Sequence, residues 1–252
     1  MVNDRLSLVT RRKSVNRPRE MNMTKITTQL INYPINAHTT PGYLAQPDDD
    51  QVHPGVVVIQ EWWGLVPHIK AVAERFAREG FVALAPDLYH GQAADEPDEA
   101  RKLAMALDAN RAVQEIAAAA RYLKNQANVA PKRIGTVGWC MGGGLSLSTA
   151  AHHADLIGAA IAFYGRPLNA SDTAKLQVPV LGLYAEHDHG IPVAAVTAFE
   201  NELNAHHIPH EIHVYAGADH AFFNDSRPHI YKADAAADAW QKALAWFRKY
   251  LT

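Results

Sequence analysis

From residue 26 onward, short apolar runs alternate with longer amphipathic ones. The apolar runs cover residues 27–32, 39–45, 55–60, 81–85, 134–138, 158–164, 180–185 and 210–215. Five of them are nearly continuous in Val, Ile, Leu, Ala and Phe, as strands buried on both faces of a sheet must be. Between them lie helix-length segments. Residues 68–79 end at Gly80, a C-cap signal. Residues 108–126 set Val113, Ile116, Ala120 and Leu123 on one face. Residues 141–151, 192–206 and 234–250 complete the set. This alternation predicts an α/β fold: a mostly parallel eight-stranded sheet flanked by helices on both faces. Only the connection 89–106 breaks the rhythm. It opens with His90-Gly91-Gln92 and is acidic over 95–99, which reads as a lid or binding loop.

Composition narrows the partners. A net charge of −2 over 252 residues gives no reason to expect nucleic acid or an anionic membrane surface. No apolar run is long enough to span a bilayer. The single cysteine excludes an intramolecular disulfide and a Cys-based zinc site, and it suits a reducing, cytoplasmic compartment. Residues 1–24 read as a basic tail, with Arg5, Arg11, Arg12, Lys13, Arg17 and Arg19 against Asp4 and Glu20. An alternative is that translation starts at Met21 or Met23. Arg11-Arg12 has the look of an export signal, but no apolar segment follows it. An electrostatic arm for nucleic acid would want aromatic residues for stacking, and the tail has none. Residues 25–252 read as one domain, expected as a monomer or weak dimer.

Gly138-Trp139-Cys140-Met141-Gly142 is the most informative segment. It follows a predicted strand and opens a predicted helix. Glycine two residues before and two after a nucleophile permits a sharp strand-to-helix turn that lifts the nucleophile above the sheet. A helix N-terminus also stabilises negative charge on the attacking sulfur. The following N–H, that of Met141, is placed to bind an oxyanion. A lone cysteine is more often a small buried hydrophobe, but a core cysteine needs no such glycines.

In this topology the acid and the base follow the nucleophile in chain order. Asp188, just past the run 180–185, is the expected acid, and His220, past the run 210–215, the expected base. Asp219 and Glu186 are rival acids, better read as loop charges or caps. His187 and His189 flank Asp188 and invite a metal reading, but no third ligand stands at defined spacing. No metal is expected. His206, His207, His210 and His213 fall at a helix end and an edge strand.

These segments together resemble the dienelactone hydrolase family of α/β-hydrolases, from about Ile26 to Leu251. Gln60-Glu61-Trp62-Trp63-Gly64, Ala85-Pro86-Asp87-Leu88-Tyr89, the cysteine turn, Asp188 and Asp219-His220-Ala221-Phe222 carry the resemblance in order. It implies that Glu61 takes part in activating the Cys140 thiol and that the N–H of Trp62 is the second oxyanion donor. It further implies a substrate pocket near Trp63, Tyr89, His90 and Phe222. The family's paired arginines for a substrate carboxylate have no clear counterpart; His90 and Arg227 are the stand-ins.

The expected function is hydrolysis of a lactone or an activated enol or aryl ester, as in carboxymethylenebutenolidase, through a Cys140–Asp188–His220 triad and without a cofactor. The alternatives are a general carboxylesterase or thioesterase and a non-catalytic ligand-binding relative.

Overall fold

The computed structural model describes residues 24–251. Apart from Thr24, the expected basic tail lies outside the described residues. Eight strands form one sheet: β1 (Ile26–Ile35), β2 (His38–Pro47), β3 (Gly55–Ile59), β4 (Val82–Pro86), β5 (Ile134–Trp139), β6 (Ile157–Phe163), β7 (Val180–Ala185) and β8 (His210–Tyr215). Their spatial order is β1-β2-β4-β3-β5-β6-β7-β8. β1 and β2 form an antiparallel hairpin, and β2 pairs antiparallel with β4. The remaining neighbours run parallel, so the C-terminal ends of β3 through β8 share one edge.

The helices are α1 (Pro67–Arg78), α2 (Pro97–Ala106), α3 (Ala109–Lys124), α4 (Met141–His152), α5 (Ala170–Thr173), α6 (Val193–Ala205) and α7 (Ala233–Tyr250). The two-residue strand period divides the core into two layers. Val56 and Val58 face one side with Phe76 of α1 and Trp240 and Phe247 of α7. Val57 and Ile59 face the other with Ile116 of α3, Leu147 of α4 and Phe199 of α6. Each such large side chain contributes about 1.5–3 kcal/mol by leaving water. The central strands are buried at every position, which explains their unbroken apolar sequence.

The segment 89–106 differs from the loop expected of it, because its second half is α2. Pro97 supplies a preset φ at the helix start, and Asp98 and Glu99 favour the positive end of the dipole. Ala94 and Ala100 pack on Trp63, so the segment is anchored beside the loop that follows β3. No helix among the described residues is long and apolar enough to cross a membrane.

Candidate active site

The turn between β5 and α4 presents Cys140. Its φ of 55° and ψ of −118° lie in a region that costs a non-glycine residue about 1–3 kcal/mol. The flanking glycines make this geometry possible by close approach. A Cβ on Gly138 would collide with the Gly142 carbonyl, and one on Gly142 with the carbonyl oxygens of Gln60 and Ile59. The Cys140 N–H is anchored on the Phe163 carbonyl at 3.0 Å. Met141, the first residue of α4, has no intrahelical acceptor for its N–H.

His220 and Asp188 come from the loops after β8 and β7. Nδ1 of His220 lies 2.5 Å from Oδ2 of Asp188. The other carboxylate oxygen of Asp188 accepts the N–H groups of Gly190 at 2.9 Å and Ile191 at 3.0 Å. Burial raises the Asp188 carboxyl, but the bond to His220 and these amides outweigh it and leave the group below its ordinary value. His220 shows the reverse balance. Burial disfavours its charged form, yet hydrogen bonds and charges from Asp188 and Cys140 push its pKa up to about 10.

Glu61 sits at the end of β3, only 1% exposed. Its carboxylate accepts a hydrogen bond from the Asn224 amide at 2.7 Å and one from the Tyr164 hydroxyl at 3.4 Å. Burial holds its pKa above the ordinary carboxylate value, against the pull of His68, Asn224, His220 and Arg227. Tyr164, wholly buried, has its phenol pushed far up by burial and by the charges of Glu61 and Cys140.

Cys140, His220, Asp188 and Glu61 line one cavity of about 580 Å³. Its walls include Trp62 and Trp63, which meet edge-on with ring centroids 5.1 Å apart. Arg227 also borders it, with its guanidinium 4.1 Å over the Trp63 ring. His187, His189, His229 and Asp219 stand on the same lining. Asp219 is exposed, and Glu186 is occupied in accepting the Gly217 N–H at 2.7 Å. Among the described residues no cluster of three or more His, Cys, Asp or Glu is placed to hold a metal ion.

Three expected pocket residues fall elsewhere. Phe222 is fully buried and packs on Tyr164 and Tyr215, because the left-handed turn at Ala221 (φ 67°) swings it into the core. His90, also left-handed at φ 52°, turns to Glu115, with Nε2 3.1 Å from the carboxylate, and lines a separate cavity of about 190 Å³. Tyr89 borders that separate cavity too. Its hydroxyl reaches back to donate to the Trp62 carbonyl at 3.1 Å, and burial with the nearby Cys140 charge pushes its pKa up to about 12. Sequence reasoning missed Tyr164 and Asn224, the two residues that bond Glu61. Tyr164 directly follows β6 at the sheet edge where sites of such folds gather, a usable signal; Asn224 offers none.

Comparison with known proteins gives a consistent result. The profile of the dienelactone hydrolase family matches residues 40–251. Protein usf of Aquifex pyrophilus is 38% identical over 231 residues, covering 89% of this chain and 99% of that protein. A Synechocystis protein provisionally named a carboxymethylenebutenolidase is 36% identical over 244 residues, covering 90% and 98%. A crystal structure from Klebsiella pneumoniae, provisionally named a dienelactone hydrolase, superposes with a TM-score of 0.83 at 31% identity, covering 90% of this chain and 100% of that one. The chain belongs to the dienelactone hydrolase family, α/β-hydrolases that act on esters and lactones.

Proposed function

We propose that this enzyme cleaves a lactone or an activated enol or aryl ester by attack of Cys140, in the manner of a carboxymethylenebutenolidase. The observation that carries the reading is the 2.5 Å Asp188–His220 contact in one cavity with Cys140 and Glu61. The Cys140 sulfur adds to the carbonyl carbon, and the N–H groups of Met141 and Trp62 hold the resulting oxyanion. Collapse expels the alcohol oxygen, which takes a proton from His220, and leaves a thioester on Cys140.

The charge on sulfur then disappears. His220, neutral after giving up its proton, has also lost one of the two supports that raised its pKa, while Asp188 keeps its ring in place. The imidazole is thereby fitted to take a proton from water as that water attacks the thioester. Carboxylate and thiolate are released, and the cycle closes. No external cofactor enters the balance.

Arg227 is the cation at the cavity that replaces the missing arginine pair, and it favours an acid with a second anionic group. His90 is excluded from that role by its bond to Glu115.

The test is hydrolysis of phenyl esters and unsaturated lactones by wild type and Cys140→Ala. The variant is expected to fold and to lose activity by at least about a thousandfold, the scale of removing a nucleophile. Iodoacetamide is expected to inactivate the wild type, and EDTA to leave it unchanged. Retained activity in Cys140→Ala would overturn the assignment.

A further inference from the structure

The two N–H groups assigned to the oxyanion come from different parts of the chain. Trp62 lies just past β3, and Met141 opens α4. Neither N–H meets an acceptor among the described residues. Two donors on separate segments bind one oxygen only while their spacing holds. The contact of Gly142 with the carbonyls of Gln60 and Ile59 sets how closely the segments approach. It does not set how Trp62 is turned.

Tyr89 touches both residues. It comes from a third segment, the turn after β4, and is buried. Its hydroxyl donates to the Trp62 carbonyl at 3.1 Å and stands 3.7 Å from Sδ of Met141. A hydroxyl has one proton, and a carbonyl oxygen accepts better than a thioether. The proton therefore goes to Trp62, and the sulfur packs against the oxygen. The phenol, pushed up to about 12, remains a donor at neutral pH.

The tyrosine is itself held on both sides. Oδ1 of Asp87 accepts the Tyr89 N–H at 3.2 Å, and Oδ2 accepts the Gly91 N–H at 2.7 Å. Before it, the Leu88 N–H donates to Oε1 of Gln60 at 3.1 Å; after it, the Ala94 N–H donates to the Trp63 carbonyl at 3.0 Å. The ring crosses between these ties because Gly64, at φ 93°, has no Cβ. One placed there would stand 3.2 Å from Cδ2 of Tyr89. Tyr89 lines the separate cavity of about 190 Å³ rather than the one that holds Cys140, so it reaches the reaction through Trp62 and Met141.

We propose that Tyr89 is a positioning residue for the oxyanion hole: its hydroxyl, bonded to the Trp62 carbonyl and packed on the Met141 sulfur, holds the two N–H donors at the spacing that one oxygen requires. This rests on the reading of Cys140 as nucleophile and of those N–H groups as its oxyanion donors. A carbonyl held from behind fixes the N–H of the same residue with it. Without the hydroxyl that carbonyl must find another partner, and Trp62 turns to reach one. The loss falls on the transition state, because the charge on oxygen arises only once the sulfur has added.

Tyr89→Phe keeps the ring and deletes the bond. Wild type and this variant are compared in hydrolysis of a phenyl ester, inhibition by a phenyl trifluoromethyl ketone and alkylation by iodoacetamide, with Cys140→Ala alongside. On the ketone, sulfur bonds to the carbonyl carbon and the π pair moves to oxygen; nothing leaves, and the oxyanion stays in the hole. On iodoacetamide, sulfur displaces iodide from a saturated carbon, and no oxyanion forms. Tyr89→Phe is expected to lower kcat about tenfold with KM nearly unchanged, less than the about hundred- to thousandfold of deleting an oxyanion donor outright. The inhibition constant of the ketone is expected to rise by a similar factor, while the alkylation rate stays that of wild type. Asp87→Asn loosens the turn but leaves the hydroxyl, so it moves kcat and the ketone the same way by less. It carries the comparison if Tyr89→Phe does not fold.

A purely structural role would lower the melting temperature and move kcat, ketone binding and alkylation together, or none of them. Either pattern overturns the proposal. Activity in Cys140→Ala, or a wild type left active by both the ketone and iodoacetamide, overturns the nucleophile reading and the proposal with it, whatever the Tyr89 and Asp87 variants show.

Discussion

Asp188 and His220 meet at 2.5 Å, and this contact makes the fold as well as the chemistry depend on pH. His220 is raised from 6.5 to about 10 in the folded protein, so folding favours its protonated form. The stabilisation is complete below pH 6.5 and is lost as pH rises through about 10. Wild type is therefore expected to melt above His220→Gln at pH 6, with the gap narrowing steadily toward pH 10. Thermal melts across that range provide the check; a constant gap would mean that the pair stores no protonation energy.

Gly142→Ala is expected to cost more in activity than in stability. Its methyl group meets the Ile59 carbonyl oxygen at 2.5 Å, so the start of α4 must retreat from the end of β3. Overpacking of this kind costs about 1–3 kcal/mol. The same retreat moves Cys140 and the Met141 N–H relative to Glu61, and a displacement near 1 Å costs about a hundredfold in rate. Melting and kcat are both to be measured. A variant that melts lower but turns over normally would show that the elbow tolerates displacement.

Phe222→Ala tests a correction. The sequence places Phe222 two residues after the base, where a pocket wall is expected, but the side chain is fully buried. Truncation of a buried phenylalanine costs about 3–5 kcal/mol. The expected outcome is a large fall in melting temperature with KM of the folded enzyme little changed. A selective rise in KM would return Phe222 to the substrate.

These cases mark what the sequence carries. The strands were legible because burial on both faces leaves no polar positions, and the elbow because steric need imposes Gly138 and Gly142 on it. The helix α2 was not, since Ala100 is its only buried residue and no apolar stripe forms; Pro97 followed by Asp98 and Glu99 was the available start signal. The directions of His90 and Phe222 depend on left-handed residues that are not glycine, His90 itself and Ala221, and composition does not announce these. The Tyr89–Met141 contact joins positions 52 residues apart, beyond any local pattern.

Arg227→Gln is expected to separate anionic from neutral substrates. The guanidinium borders the catalytic cavity while resting on Trp63. A hydrogen bond to a charged group contributes about 1.5–3 kcal/mol, roughly a ten- to hundredfold effect. KM for a lactone bearing a carboxylate is expected to rise on that scale, while a neutral phenyl ester changes little. An equal loss on both would make Arg227 a support for Trp63 alone.

The reading of Cys140 as a tuned nucleophile makes its sharpest prediction in leaving groups. A tetrahedral adduct on sulfur returns to ester and thiolate unless the departing oxygen leaves comparably well. Thiols have an ordinary pKa of about 8.5 and phenols about 10, whereas an alkoxide is far more basic than either and leaves correspondingly poorly. Phenyl esters are therefore expected to react far faster than ethyl esters of the same acid. In Cys140→Ser the adduct partitions forward more readily, since an alkoxide is itself a poor leaving group. Yet that hydroxyl must first lose a proton, and Glu61 and His220 are arranged around a more acidic thiol. The serine variant is thus expected to be slow on both esters, with a smaller ratio between them. Measured kcat/KM for matched phenyl and ethyl esters on both proteins decides the matter: a wild type indifferent to the leaving group, or a serine variant faster on both, removes Cys140 from the role.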